Sequence, residues 1–357
     1  MPSNILDNLT KIKKLDSQNM LGSLQYLGKQ VEQIWQEAQA LKVPANYKQI
    51  NNIVVLGMGG SALGVDIFKV LYKKELKVPV TVVRDYDIPK FVDNKTLIIA
   101  SSYSGTTEEV LNSVKQAKKK CAKIITISSG SKLASWAKRN KLPSLVFGTE
   151  NNPSNQPRMG LGYSIVGQLI LLSRIGLLKL TNKQVKEIIK VLALYDSKFG
   201  VLTPSKENQA KLLAKANIGK SVWYVASEHL LGNIHAAANQ MNENAKRFAG
   251  YFCLPELNHH LLEGIVFPKT NKSNLLFVLL ESKLYHQRNQ KRYKITKKVL
   301  DKNSIHHFSY SCQEKNELLQ VCEILVFTSY VSYYTALLKG IDPSPIPSVD
   351  FFKKQMK

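Results

Sequence analysis

The sequence predicts an α/β chain built from two doubly wound parallel-sheet domains behind a leading helical segment. Three observations carry that reading. Short apolar runs of strand length alternate with stretches of helical spacing, the pattern of a parallel sheet wrapped on both faces. Loops rich in glycine and hydroxyls follow two of these runs, where a strand feeds a helix. The alternation then starts afresh past the middle of the chain, at Val222-Trp223-Tyr224-Val225.

Taken in order, residues 1–45 form the leading segment. Leu21, Leu24, Leu27, Val31 and Ile34 recur at helical spacing, and Pro44 and Asn46 end it. The first domain, 46–180, opens with the buried strand Ile53-Val54-Val55-Leu56. That strand runs into Gly57-Met58-Gly59-Gly60-Ser61-Ala62-Leu63-Gly64 and a helix to about Leu71. Further strands are expected at Val78 to Val83, Leu97 to Ala100, Lys123 to Ser128 and Leu145 to Phe147. Helices are expected from Glu108 to about Lys119, from Lys132 to Arg139 and from Met159 to Leu178. Residues 181–213 read as a helical connection with a break near Thr203-Pro204. The second domain, 214–357, repeats the plan with strands at Val222 to Val225, Asn274 to Leu280 and Ile305 to Tyr310. Its basic helix spans about Gln287 to Leu300, a late helix spans Glu317 to Leu338, and a helical tail follows.

A chain of 357 residues, 44% hydrophobic and 21% charged, has the composition of a globular protein with sizeable cores. Met1-Pro2-Ser3-Asn4 lacks a basic-then-apolar signal segment. The four cysteines, Cys121, Cys253, Cys312 and Cys322, lack zinc or C-x-x-C spacing and read as reduced core thiols. Together these features lead to the expectation of a cytoplasmic protein without a membrane partner. The run Leu318 to Leu338 approaches span length, but Glu323 and several hydroxyl side chains interrupt it, so a buried helix is expected. The formal charge of +24 falls into separate patches, Lys11 to Lys14, Lys115 to Lys123 and Arg288 to Lys298. Each reads as the solvated face of a helix. None interleaves aromatics as a single-strand binder does, so no specific nucleic-acid partner is expected.

The stretch Ser101-Ser102-Tyr103-Ser104-Gly105-Thr106-Thr107-Glu108-Glu109 lies between a strand and a helix. The first turn of a helix leaves N–H groups unpaired at the positive end of the dipole, and Ser and Thr hydroxyls add donors. Thr106 with Glu109 alone satisfies an ordinary capping box. The further hydroxyls and the glycine exceed what a cap needs and point to a phosphate loop. The other loop, Gly57 to Gly64, also fits a dinucleotide fingerprint at Gly57, Gly59 and Ala62, with Asp85 past the next strand. That leaves a NAD(P)-dependent dehydrogenase as a rival. A hydroxyl at the turn and a second anion loop at the same sheet edge favour a compact phosphosugar instead. The equivalent stretch of the second domain, Glu281 to Tyr285, has neither the glycine nor the hydroxyl cluster, which implies one phosphate site per chain.

These two loops together resemble the sugar isomerase (SIS) domain superfamily. Three further segments narrow the resemblance: Pro157-Arg158-Met159-Gly160, Asn242-Glu243-Asn244-Ala245-Lys246 with Pro255-Glu256-Leu257-Asn258-His259, and the tail Gly340 to Pro347. The ordered set, from about Asn51 onward, is similar to the bifunctional phosphoglucose/phosphomannose isomerases of archaea and bacteria. The departures are Thr106, where Asn is usual, and His260 and Leu261 after the motif histidine.

The resemblance implies aldose–ketose isomerisation of glucose 6-phosphate and fructose 6-phosphate, with mannose 6-phosphate as a second aldose, through an enediolate. It implies Glu243 as the base, His259 in ring opening, with His260 as a possible substitute, and Arg158 as the charge stabiliser. It also implies Lys353, in preference to Lys354, near the ring oxygen. Gly60, Ser61, Ser102, Ser104, Gly105 and Thr107 then hold the phosphate and sugar, the two glycines through their N–H groups. Read singly, Glu243 suits a surface helix residue, His259 a satisfied loop histidine and Arg158 a polar-loop partner for any carboxylate. No cofactor and no metal are expected, because cations and hydrogen bonds polarise the carbonyl. The family further implies a homodimer with His259 reaching the partner's site. A non-catalytic phosphosugar-binding regulator on the same fold is the alternative from another functional class.

Overall fold

The computed structural model describes residues 5–356, so Met1–Asn4, read above for a signal segment, and Lys357 lie outside the described residues. In chain order the elements are α1 (Leu9–Leu15), α2 (Met20–Gln25), α3 (Leu27–Glu37), β1 (Asn52–Leu56), α4 (Gly60–Leu71), β2 (Val80–Val83), β3 (Thr96–Ser101), α5 (Glu108–Lys119), β4 (Lys123–Ser128), α6 (Ser131–Arg139), β5 (Ser144–Val146), α7 (Leu161–Ile175) and α8 (Asn182–Phe199). Then follow α9 (Gln209–Ala216), β6 (Ser221–Ala226), α10 (Leu231–Ala245), β7 (Ala249–Cys253), the single turns α11 (Leu261–Gly264) and α12 (Asn271–Asn274), β8 (Leu275–Glu281), α13 (Gln287–Lys302), β9 (His306–Ser311), α14 (Glu317–Leu338) and α15 (Pro347–Gln355). The chain divides into two compact units, Tyr26–Lys190 and a second made of Met1–Gln25 with Val191–Lys357.

The unit Tyr26–Lys190 holds a five-stranded sheet in the order β2-β1-β3-β4-β5. All its pairings are parallel, with Leu56 opposite both Val83 and Ala100. β3 is buried at every position, as a central strand covered on both faces requires. One face, with Val54, Leu56, Ile98, Ala100 and Ile124, packs under Val110, Val114 and Ala117 of α5 and Leu133, Trp136 and Ala137 of α6. α7 packs against α3, α4 and β4. The strand order reverses between β1 and β3, which places the loops after these two strands side by side.

The second unit holds a four-stranded parallel sheet, β7-β6-β8-β9. Its central helix is α14, which packs on α2, α9 and α10. Among the described residues α14 alone is long and apolar enough to span a membrane, yet 94% of its apolar window is buried in the protein. Burial all round explains why it is apolar all round. Its hydroxyls are then obliged to find partners. Thr328 and Thr335 donate to carbonyls one turn back, Tyr330 donates to Asp196 at 2.5 Å, Tyr333 to Asp16 at 3.0 Å and Tyr334 to the Phe199 carbonyl at 2.6 Å. Glu323, also on α14, accepts from Tyr310 and from the backbone N–H groups of Gln313 and Glu314.

Several local expectations need correcting. The leading segment, read as helical, consists of separate helices, because the Asp16 carboxylate accepts from the N–H groups of Met20 and Leu21 and starts a new one. The repeat in the second half gains an unforeseen strand, β7, ahead of Leu275–Glu281. The capping box at Thr106 and Glu109 does not form. α5 begins at Glu108 behind Thr107, while the Thr106 hydroxyl pairs with that of Ser104 at 3.0 Å. All four cysteines are free thiols, but only Cys312 and Cys322 are buried; Cys121 is exposed and is no core thiol.

Candidate active site

The carboxyl edge of the β2-β1-β3-β4-β5 sheet brings Gly60, Ser61, Ser102, Ser104, Gly105 and Thr107 together on neighbouring loops. α4 and α5 each start there, at Gly60 and Glu108, so two helix N-termini face the strand switch point. The loops are bonded to one another. Ser61 Oγ accepts the Tyr103 N–H at 2.8 Å, and the Ser61 carbonyl accepts Ser101 Oγ at 2.9 Å and Gln168 Nε2 at 2.8 Å. Gln168, from α7, is fully buried and serves as the strut beneath both loops.

Within the serine loop, Ser102 Oγ and Thr107 Oγ1 stand 2.7 Å apart, and the Thr107 N–H reaches Ser102 Oγ at 3.4 Å. The expected role of the Gly105 N–H needs revision, because it donates to the Ser102 carbonyl at 3.0 Å and closes a turn. Gly105 instead supplies a φ of +67°, and a Cβ there would overlap the Gly130 carbonyl. Gly60 is required by close approach, since a Cβ on it would lie 2.9 Å from the Pro157 carbonyl oxygen. That contact sets the Arg158 segment beside the glycine loop.

Arg158 is only 2% exposed, in a single 3-10 turn, Pro157–Met159, and donates from Nη1 to Gln156 Oε1 at 2.7 Å. The polar stretch before it is a loop, as its composition implies. Asn152 and Ser154 are buried with it.

Glu243, His259 and Lys353 belong to the other unit. Glu243 is half-buried in the last turn of α10. Its motif neighbours fix that turn: Asn242 exchanges hydrogen bonds with both backbone groups of Ala249, and Asn244 Nδ2 donates to Ser332 Oγ at 3.0 Å. Lys246 takes a left-handed backbone at the helix end, and its Nζ donates to the carbonyls of Asp342 and Pro343. Lys339 Nζ donates to the carbonyls of Ala245 and Lys246. The Asn-Glu-Asn-Ala-Lys stretch and the tail motif are thus tied together by lysine-to-carbonyl bonds. Sequence reasoning assigned these flanking residues no part, although their place in the motif was the available signal. His259 ends a 3-10 turn, Glu256–His259, and is exposed; His260 is held at 3.1 Å by Glu256. Lys353 lies on α15, none of whose residues is buried.

The matching edge of the second sheet is filled by the chain itself. Ser282 Oγ donates to Gln320 Oε1 at 2.6 Å. At the start of α13 the Glu228 carboxylate accepts the His286 N–H at 2.8 Å and the Asn289 amide at 2.7 Å. An internal anion occupies the position that the helix N-terminus favours for one. Among the described residues no three His, Cys, Asp or Glu side chains gather as a metal site.

Two parallel α/β units, one with paired glycine- and hydroxyl-rich loops at its switch point, define a sugar isomerase (SIS) domain protein. Residues 46–172 match the SIS domain family, and residues 206–356 match the family described as the bacterial phospho-glucose isomerase C-terminal SIS domain. The bifunctional phosphoglucose/phosphomannose isomerase of Caldicellulosiruptor bescii is 33% identical over 344 residues, covering 94% of this chain and 98% of its own. The protein of the same name from Aquifex aeolicus is 28% identical, with 92% and 98% covered. The chain belongs to the bifunctional phosphoglucose/phosphomannose isomerase family. Its fold is shared by tagatose-6-phosphate ketose/aldose isomerase from Escherichia coli, with a TM-score of 0.71 at 14% identity over 90% of this chain and 93% of that one.

Proposed function

We propose that this chain interconverts the 6-phosphates of glucose and fructose, and accepts mannose 6-phosphate as a second aldose. The observation that carries this reading is the pair of bonded hydroxyl loops at one sheet edge, in a chain of this family. The phosphate sits on the hydroxyls of Ser61, Ser102, Ser104 and Thr107 and on the N-terminus of α4 at Gly60, while Gly105 shapes the turn. Once the ring is open, Glu243 takes the proton from C2 and returns it to C1, while the proton of the C2 hydroxyl passes to the C1 oxygen and the electron pair shifts through the enediolate. No atom is gained or lost overall. Arg158 balances the negative charge that develops on the two oxygens, and a guanidinium so little exposed is weakly screened by water. His259 moves the proton that opens the ring, and Lys353 assists at the ring oxygen. The assembly we propose is a homodimer in which His259 serves the partner's site.

A coupled assay with glucose 6-phosphate and mannose 6-phosphate tests the substrates. Glu243→Gln is expected to lower turnover about 10²–10⁴-fold, the range for loss of a general base, while phosphosugar still binds. Full activity in that variant overturns the mechanism. Binding without any isomerisation by the unaltered protein identifies a regulator instead. Mixing Glu243→Gln with His259→Ala chains recovers activity only if sites are shared.

A further inference from the structure

We infer that Tyr103 is a positioning residue, which sets Arg158 through Asn152 and Gln156 and joins the phosphate loop to the guanidinium. The inference rests on the reading of Arg158 given above. A loop that holds an anion through hydroxyls and a glycine has no need of an aromatic, yet Tyr103 sits in its middle and is only 6% exposed. Its backbone belongs to the loop: the N–H donates to Ser61 Oγ, and the carbonyl accepts from Ser129 N at 2.9 Å and Ser129 Oγ at 2.7 Å. Its ring leaves the loop. It stands edge-on to Phe147 at 5.5 Å and against Gly160, where any Cβ would overlap it.

The phenol oxygen ends this path. It accepts Asn152 Nδ2 at 2.8 Å, and the same amide donates to the Gln156 carbonyl at 3.0 Å. Ser154 Oγ donates to Asn152 Oδ1 at 3.1 Å and receives the Gln156 N–H at 3.4 Å. The Gln156 side chain then accepts Arg158 Nη1 at 2.7 Å. Asn152 is 1% exposed, so water does not replace a lost partner, and a buried amide left short of one is costly. Segment 152–158 is wound about Asn152, and the bond to Tyr103 ties that centre to the phosphate loop. Displacing a charge-stabilising group by about 1 Å costs on the order of a hundredfold in rate.

Tyr103→Phe removes that bond and leaves the loop's own hydrogen bonds and the ring packing in place. Expected are a fall of about tenfold or more in kcat, an unchanged KM for glucose 6-phosphate and an unfolding midpoint lowered only as far as one unpaired buried amide requires. Amide exchange at Arg158, Met159 and Gly160 is expected to quicken. In an Arg158→Lys background the same change is expected to cost nothing further, because the hydroxyl acts only through the guanidinium. Equal losses in both backgrounds, or a raised KM with kcat intact, overturn the inference. So does unaltered exchange in the segment. Faster exchange with kcat untouched leaves the brace standing and overturns the role of Arg158 instead.

Discussion

Ser61 Oγ accepts the backbone N–H of Tyr103 at 2.8 Å, which makes the glycine loop and the serine loop one hydrogen-bonded body. A hydroxyl that accepts in this way keeps its own proton to donate. Ser61→Ala is therefore expected to weaken binding of glucose 6-phosphate by about tenfold or more, as for loss of one hydrogen bond to a charged group. Titration calorimetry checks it, and binding at the unaltered affinity excludes Ser61 from the phosphate site.

Gly105→Ala combines a left-handed φ of +67° with a Cβ aimed at the Gly130 carbonyl. A loss of about 2–4 kcal/mol in unfolding free energy is expected. Gly176, at the left-handed cap of α7 with φ +85° and nothing within 4 Å of its would-be Cβ, is the control. Gly176→Ala carries the conformational term alone, about 1 kcal/mol. Denaturant titration of both variants separates strain from collision, and equal losses would show that the Gly130 contact is immaterial.

Lys211 is fully buried, and its Nζ donates to Asp7 Oδ1 at 3.0 Å and to the carbonyls of Val201 and Thr203. Burial raises the Asp7 carboxyl, but the Lys211 ammonium and Ser205 outweigh that and hold it below its ordinary 3.8. The stabilisation is thus fully present above pH 3.8 and is lost as pH falls through the lowered native value. Asp7→Asn is expected to lose about 1–2 kcal/mol at pH 7. The gap between variant and parent should narrow below about pH 4, followed by urea unfolding across that range. A gap constant with pH would remove the ion pair from the account.

The cysteines should separate by reactivity. Cys121 is exposed, Cys253 is intermediate, and burial pushes the Cys322 thiol up to about 12 and the Cys312 thiol higher still. A thiolate reagent at pH 8 is expected to modify Cys121 first, Cys253 more slowly, and the buried pair only after unfolding. Mass mapping of the labelled peptides reads the order directly.

Both sheets were legible because their central strands are unbroken apolar runs, such as Leu97 to Ala100, and α14 was legible from its length. β7 was not. Ala249-Gly250-Tyr251-Phe252-Cys253 lies at the sheet edge with one residue buried, so burial left no hydrophobic pattern to read. The glycine- and hydroxyl-rich loops were visible as composition, but the bond that the Gly105 N–H makes depends on a turn geometry that composition does not encode. Arg158 was singled out by its motif, while its burial was hidden. Asn152, Ser154 and Gln156 read as a polar loop because their partners are Tyr103 and each other, and such pairing leaves no periodic trace.

The division of the chain also orders its synthesis. Residues 26–190 are contiguous and have every strand of their sheet in hand once β5 has emerged. The other unit draws on both ends of the chain. Asp7 leaves the ribosome 204 residues ahead of Lys211, and Asp16 precedes Tyr333 by 317. At about 5–20 residues per second, α2 waits some tens of seconds for α14, which packs on it. A nascent chain stalled before α14 therefore carries one finished unit and an α2 whose packing partner is missing, a state open to chaperones and proteases that the completed protein does not present.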